Sequence, residues 1–150
     1  MTLRVVTHDT LLDFTAEDPA TVIRAVGAVL NDAGTVTPDY VEAMLDRETQ
    51  YPTGLATEPV AIAVPHATAG DAVLHSSIGF ARLSPPVAFA EMGTSDGRTV
   101  DVGFVFALAV SPDEHLGTLT SLLRLAQEES DLLSEATVEA ITAAIGRALR

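Results

Sequence analysis

The sequence predicts an α/β fold of the mixed α+β kind: one domain over residues 1–150, with a mixed β-sheet of four to five strands flanked by helices. Three observations carry this. The first and last thirds space their apolar residues as helices do, while the middle holds short apolar runs separated by turn residues. The run Val102 to Val110 is apolar enough to be a central strand covered on both faces.

In chain order, Asp18-Pro19 opens a helix whose inner face is Val22, Ile23, Val26, Val29 and Leu30, closed by Asn31-Asp32-Ala33-Gly34. Thr37-Pro38 starts a second helix with Tyr40 or Val41, Met44 and Leu45 inward and Arg47-Glu48 in its last turn. Thr49 to Pro59 contains Tyr51-Pro52-Thr53-Gly54 and reads as a loop. Val60 to Val64 is a buried strand that Pro65 stops, leaving His66 at its mouth. Ser76 to Leu83 is a further strand, interrupted by Pro85-Pro86. Val87 to Met92 and Val100 to Val110 form a hairpin through Gly93 to Gly97, where Asp96-Gly97 is the turn signal. Ser111 as N-cap, Pro112 at the first helical position and Glu114 three residues after the cap start a helix with Leu116, Leu119, Leu122, Leu123 and Ala126 on its buried face. Ser134 to Leu149 is the last helix, with Val138, Ile141, Ile145 and Leu149 inward.

Composition excludes several chemistries. There is no cysteine, hence no disulfide framework, thiolate nucleophile or cysteine zinc site. All eight basic residues are arginine, which removes the P-loop lysine, the kinase strand lysine and Schiff-base catalysis together. A net charge of −13 opposes a nucleic-acid surface and favours basic protein partners. The start Met1 to Asp9 has no basic segment leading into a long apolar core, so no signal peptide is expected. The longest apolar run, Val102 to Val110, falls far short of the ~18 residues that suggest a membrane span. The expectation is a cytoplasmic domain without direct membrane insertion.

Two histidines stand where strands end. His66 follows a buried strand, and His115 lies in the first turn of the helix after Val100 to Val110, where unpaired amides and the positive dipole end suit an anion. Arginine is the side chain left for bidentate phosphate binding. The competing chemistry is a metal site of His66 and His115 with Asp113 or Glu114, whose spacing matches no ligand motif. Gly93-Thr94-Ser95-Asp96-Gly97 has the letters of a serine-hydrolase elbow but leads into a strand rather than a helix, which rejects that reading. His8 and His75 read as solvated.

Taken together, Arg47-Glu48, Tyr51-Pro52-Thr53-Gly54-Leu55, Ala61-Ile62-Ala63-Val64-Pro65-His66-Ala67, Pro86-Val87 with Phe89, and Pro112 with Glu114-His115-Leu116 resemble the enzyme IIA component of the bacterial sugar phosphotransferase system. The likeness is to the type 2 fructose–mannitol family, leans to its galactitol-like branch, and runs from about Thr10 to Ile145. It implies a mannitol-type IIA-like fold and a phosphoryl carrier. His66 would be the nucleophile that accepts phosphate from the phosphocarrier protein and passes it to a cysteine of the IIB component, which would connect the chain to the membrane IIC permease. Arg47 and His115 would neutralise the phosphoryl group. The scheme requires no cofactor and no metal, and the sugar leans to galactitol or fructose. Two other classes stand beside it: a regulatory phospho-acceptor that binds a target protein, and a metal-dependent hydrolase using His66 and His115.

Overall fold

The computed structural model describes residues 3–68, 70–111, 114–135 and 137–149. One sheet of six strands organises it: β1 (Arg4–Val6), β2 (Leu12–Phe14), β3 (Gly54–Leu55), β4 (Ala61–Ala63), β5 (Ser77–Ala90) and β6 (Thr99–Ala109). The order across the sheet is β1-β5-β6-β4-β3, with β2 also paired to β5. The sheet is mixed as expected: β1, β2 and β4 pair in parallel, whereas β5–β6 and β3–β4 are antiparallel.

Among the described residues five α-helices cover it. α1 (Pro19–Asp32) and α2 (Pro38–Gln50) precede β3, while α3 (His115–Glu128), α4 (Ser130–Glu135) and α5 (Val138–Ala148) follow β6. Burying an amphipathic stripe against a sheet face is what stabilises helices of this length. Val22, Ile23, Val26, Leu30, Tyr40 and Met44 from α1 and α2 pack in one core with Ala81, Phe89 and Val105. Leu122, Leu125, Ile141 and Ile145 from α3 and α5 pack in a second with Phe80, Phe104 and Phe106. The strands β5 and β6 contribute to both cores, so they are covered on both faces.

The α1 cap is as expected, with Asp18 accepting from the Thr21 amide at 2.9 Å. Several expectations are corrected. The sheet has three short strands the sequence reading did not propose: β1 and β2 in the N-terminal segment, and β3 inside the supposed Thr49–Pro59 loop. Two proposed strands are one, because β5 runs from Ser77 through Pro85-Pro86 to Ala90 with a shift of register between Arg82 and Val87. Prolines cannot donate to the ladder, and both are exposed at this irregularity, which is where a strand tolerates them. The strand before His66 is shorter than proposed, Ala61–Ala63.

Ser111 does not cap α3. The helix begins at His115 with Glu114 as its N-cap, and the Ser111 hydroxyl bonds the Glu114 carboxylate at 2.6 Å. The expected roles of Pro112 and Asp113 lie outside the described residues. Leu116, placed on the buried face by periodicity, is 75% exposed, because the first turn of α3 lies past the core. The last helical segment is divided, with α4 ending at Glu135 and α5 starting at Val138. Among the described residues no helix is long and apolar enough to cross a membrane.

Candidate functional site

Topology brings the two histidines together. Strands β4 and β6 are parallel, so the chain leaves both at the same edge of the sheet; His66 follows the first and His115 opens the helix after the second. His66 continues the pairing as an isolated bridge to Leu108 of β6. The two rings meet edge to face, with centroids 4.8 Å apart and planes at 67°. Both are half-buried.

Each ring has one nitrogen committed to the backbone. His66 Nδ1 donates to the Val64 carbonyl at 2.7 Å. A carbonyl only accepts, so Nδ1 carries the hydrogen, and in the neutral ring Nε2 carries the lone pair. His115 Nε2 likewise donates to the Val110 carbonyl at 3.0 Å, which leaves Nδ1 as its second group. Burial holds the His66 pKa below the usual imidazole value; the nearby His115 and Arg47 act in the same direction, and the Val64 hydrogen bond opposes them.

Arg47 comes from the last turn of α2. Its guanidinium lies over the Tyr51 ring, 4.9 Å from the centroid, and its Nε is buried without a hydrogen-bond partner. Among the described residues no carboxylate pairs with it. Arg47, Tyr51, Thr53, His66, Met92 and Thr94 line one cleft of about 340 Å³. A cation with free donors and an imidazole with a free lone pair therefore face the same space. Tyr51, 60% exposed, supplies apolar surface to the cleft beside Arg47.

A polar framework lies under His66. Glu48 accepts from the Thr53 amide at 2.9 Å and the Thr53 hydroxyl at 2.8 Å. Thr53 is 2% exposed, and its hydroxyl accepts from the Val64 amide at 3.2 Å. Burial pushes the Glu48 carboxyl up, while the two hydrogen bonds from Thr53 pull it down. Gly54, next to Thr53, lets β3 lie close against the end of β5: a Cβ there would meet the Ala90 carbonyl oxygen at 2.7 Å. On the other side of His66, the fully buried Tyr40 hydroxyl accepts from the Ala67 amide at 3.1 Å and donates to the Leu108 carbonyl at 2.5 Å. Desolvation raises the Tyr40 pKa to about 12, so it stays a neutral donor.

The structure thus places His66 and Arg47 on one cleft and His115 against the His66 ring, the three residues singled out in the sequence, while His8 and His75 are exposed and do not line that cleft. It adds Tyr40, Thr53 and Glu48, which sequence reasoning left without a site role. In the sequence Tyr40 reads as part of the apolar face of its helix and Glu48 as a residue of its last turn; only their tertiary partners distinguish them. Among the described residues no three His, Cys, Asp or Glu side chains group as metal ligands, and Asp113 of the competing metal reading lies outside them.

Comparison with known proteins gives a consistent picture. Residues 6–145 match the family model described as phosphoenolpyruvate-dependent sugar phosphotransferase system, EIIA 2. The chain is 32% identical over 123 residues to the mannitol-specific phosphotransferase enzyme IIA component of Bacillus subtilis, covering 81% of this chain and 79% of that one. It is 38% identical over 110 residues to the mannitol-specific EIICBA component of Escherichia coli, covering 72% of this chain but only 16% of that longer protein. The crystal structure of the mannitol IIA protein of Escherichia coli superposes with a TM-score of 0.70 at 30% identity, covering 92% of this chain and 97% of that one. A chain in the complex of the Escherichia coli mannitol enzyme IIA with phosphorylated enzyme IIB superposes with a TM-score of 0.72 at 29% identity, covering 95% of this chain and 99% of that one.

Proposed function

The chain belongs to the EIIA 2 family of the phosphoenolpyruvate-dependent sugar phosphotransferase system, and from that premise we propose that it is a cytoplasmic phosphoryl carrier whose acceptor atom is Nε2 of His66. The observation that carries the reading is the 2.7 Å bond from His66 Nδ1 to the Val64 carbonyl, which leaves Nε2 free beside Arg47 and His115. The Nε2 lone pair attacks the phosphorus of a phosphohistidine on the phosphocarrier protein. The donor's P–N bond breaks, and its electron pair returns to the donor ring. In the second step a cysteine thiolate of the IIB component attacks the same phosphorus, and the electron pair returns to Nε2. IIB then serves the IIC permease.

This chemistry asks for positioning and charge neutralisation rather than a bound cofactor. While phosphorus is on Nε2 the ring is cationic, and the Val64 carbonyl stabilises it by accepting the Nδ1 hydrogen. The free guanidinium N–H groups of Arg47 suit the equatorial phosphoryl oxygens, and His115 presents Nδ1 to the same group once protonated there. The relatives named for mannitol make mannitol the first sugar to test, ahead of the galactitol or fructose that the sequence leaned toward.

The relay is tested with labelled phosphate passed from phosphoenolpyruvate through enzyme I and the phosphocarrier protein onto this chain and then onto IIB. Label that is acid-labile and base-stable on this chain and then moves to IIB is the expected result; no label on the folded chain contradicts the reading. In the same assay His115→Ala retains acceptance, because Nε2 of His66 is untouched, but slows transfer by about a hundredfold through loss of one donor to the transition state.

The pH dependence follows from the direction of the His66 shift. Only the neutral ring attacks, and the folded ring binds its proton more weakly than an ordinary imidazole. The acid limb of the single-turnover acceptance rate is therefore expected below the ordinary imidazole range. The linked stability has the matching sign: the contribution of this group is complete above the unfolded value and is lost as pH falls through the folded one. Single-turnover rates across pH 5 to 8, with the phosphocarrier titrated separately, check this.

A further inference from the structure

The backbone around His66 is pinned on both sides by polar groups that originate on one helix. Glu48 and Tyr40 lie eight residues apart on α2, at helical positions that share a face. On the N-terminal side the hydrogen bonds have a fixed direction. The Thr53 hydroxyl accepts from the Val64 amide, so its own hydrogen goes to Glu48, which also receives the Thr53 amide. Both partners facing Glu48 are donors, and a carboxylate satisfies both. On the C-terminal side the Tyr40 hydroxyl links the Ala67 amide to the Leu108 carbonyl, while the Leu108 amide donates to the Pro65 carbonyl at 2.9 Å.

Between these anchors lies the peptide whose carbonyl receives His66 Nδ1. Its nitrogen belongs to Pro65 and carries no hydrogen, so no ladder bond of its own orients it. Its direction is set by what holds Val64, Pro65 and Ala67. That direction matters chemically, because a histidine side chain in water prefers its hydrogen on Nε2, the nitrogen needed as nucleophile. The tautomer of a histidine follows the hydrogen bond made by its other nitrogen.

We propose that Glu48 and Tyr40 are positioning residues for phosphoryl transfer: through Thr53 on one side and Ala67 on the other, they keep the Val64 carbonyl aimed at His66 Nδ1 and so keep Nε2 unprotonated. The inference rests on the reading of His66 as the phosphoryl acceptor. It assigns α2 two tasks at one end of the cleft, supplying Arg47 to the phosphoryl group and Glu48 and Tyr40 to the acceptor ring.

The test combines two readouts on wild type, Glu48→Gln, Tyr40→Phe, Thr53→Val and Thr53→Ser. The first is the pair of ring nitrogen-15 shifts of His66 in the unphosphorylated protein, at a pH where the ring is neutral. The second is steady-state acceptance from the phosphorylated phosphocarrier protein. Wild type is expected as the Nδ1–H tautomer. Glu48→Gln turns an amide group toward one of two donors, Tyr40→Phe removes the hydroxyl and keeps the ring, and Thr53→Val removes the hydroxyl link at constant shape. Each is expected to populate the Nε2–H tautomer and to lower kcat by about ten- to a hundredfold at unchanged KM, the cost of a misplaced reacting group. Thr53→Ser, which restores the hydroxyl, should recover both readouts.

Folded variants that all retain the Nδ1–H tautomer overturn the proposal, whatever their rates. If a charged-site variant does not fold, the isosteric Thr53→Val and Thr53→Ser pair decides alone. Tautomer shifts in the variants, together with a wild type that accepts no phosphoryl group, would support the positioning roles and contradict the carrier reading, so the two failures are distinguishable.

Discussion

His66→Ala is expected to abolish phosphoryl acceptance while leaving the protein folded. The substitution removes Nε2, the nitrogen left with a lone pair when Nδ1 is bound to the Val64 carbonyl. No other histidine replaces it in the cleft. His115 has its Nε2 committed to Val110, and its remaining nitrogen sits on a different ring, 4.8 Å away centroid to centroid. His8 is exposed at the other end of the chain, where its Nδ1 receives the Thr10 amide, and His75 is exposed as well. Stability should fall by only about 1 kcal/mol, the net worth of one hydrogen bond, because Val64, Pro65 and Ala67 keep their anchors to Thr53, Leu108 and Tyr40. Label transfer and thermal melting on the same sample separate the two effects. A folded variant that takes up label as wild type does contradicts the assignment.

Arg47→Lys is expected to slow transfer by about ten- to a hundredfold at conserved charge, within the range for losing preorganised donors to a transition state. The guanidinium is planar, rests over Tyr51 and has a buried Nε without a partner, so the protein holds a fork with donors unspent. Lysine would bring a point charge on a flexible stem, without the fork that grips two phosphoryl oxygens at once. No ion pair is broken among the described residues, so the melting temperature should barely change. The reading is kinetic: a fall in kcat with KM for the phosphocarrier nearly constant. Wild-type kcat in Arg47→Lys would mean that Arg47 supplies only field, or none at all.

The α1 helix was legible because local signals agreed: Asp18 caps it, Pro19 occupies its first turn, and its apolar residues recur at one period. The hairpin was legible at its turn, where Gly93 and Gly97 take φ of 79° and 81°. The strands β1, β2 and β3 were not, since each is two or three residues long and exists only because a longer strand lies beside it. Pro85-Pro86 misled for a related reason. Proline forbids a ladder bond at its own position, but the exposed irregularity between Arg82 and Val87 lets the strand resume beyond it. Ser111 carried the letters of a capping box, yet its hydroxyl is taken by the Glu114 carboxylate and the helix starts later.

At the site, His66 and His115 stood out as histidines at a strand exit and a helix start, but it was the resemblance to the enzyme IIA family that implied their roles and brought in Arg47. Glu48, Thr53 and Tyr40 were assigned no role there. Their importance lies in which backbone groups they reach across the fold, and nothing in their spacing encodes that the Val64 amide would meet Thr53 or that Tyr40 would span Ala67 and Leu108.

The most direct test of the account is phosphorus–nitrogen correlation on the phosphorylated protein with nitrogen-15-labelled histidine. The account predicts one phosphorus signal, coupled to Nε2 of His66, with the Nδ1 hydrogen still present. Phosphorus coupled to Nδ1 of His66, or to the ring of His115, would contradict it.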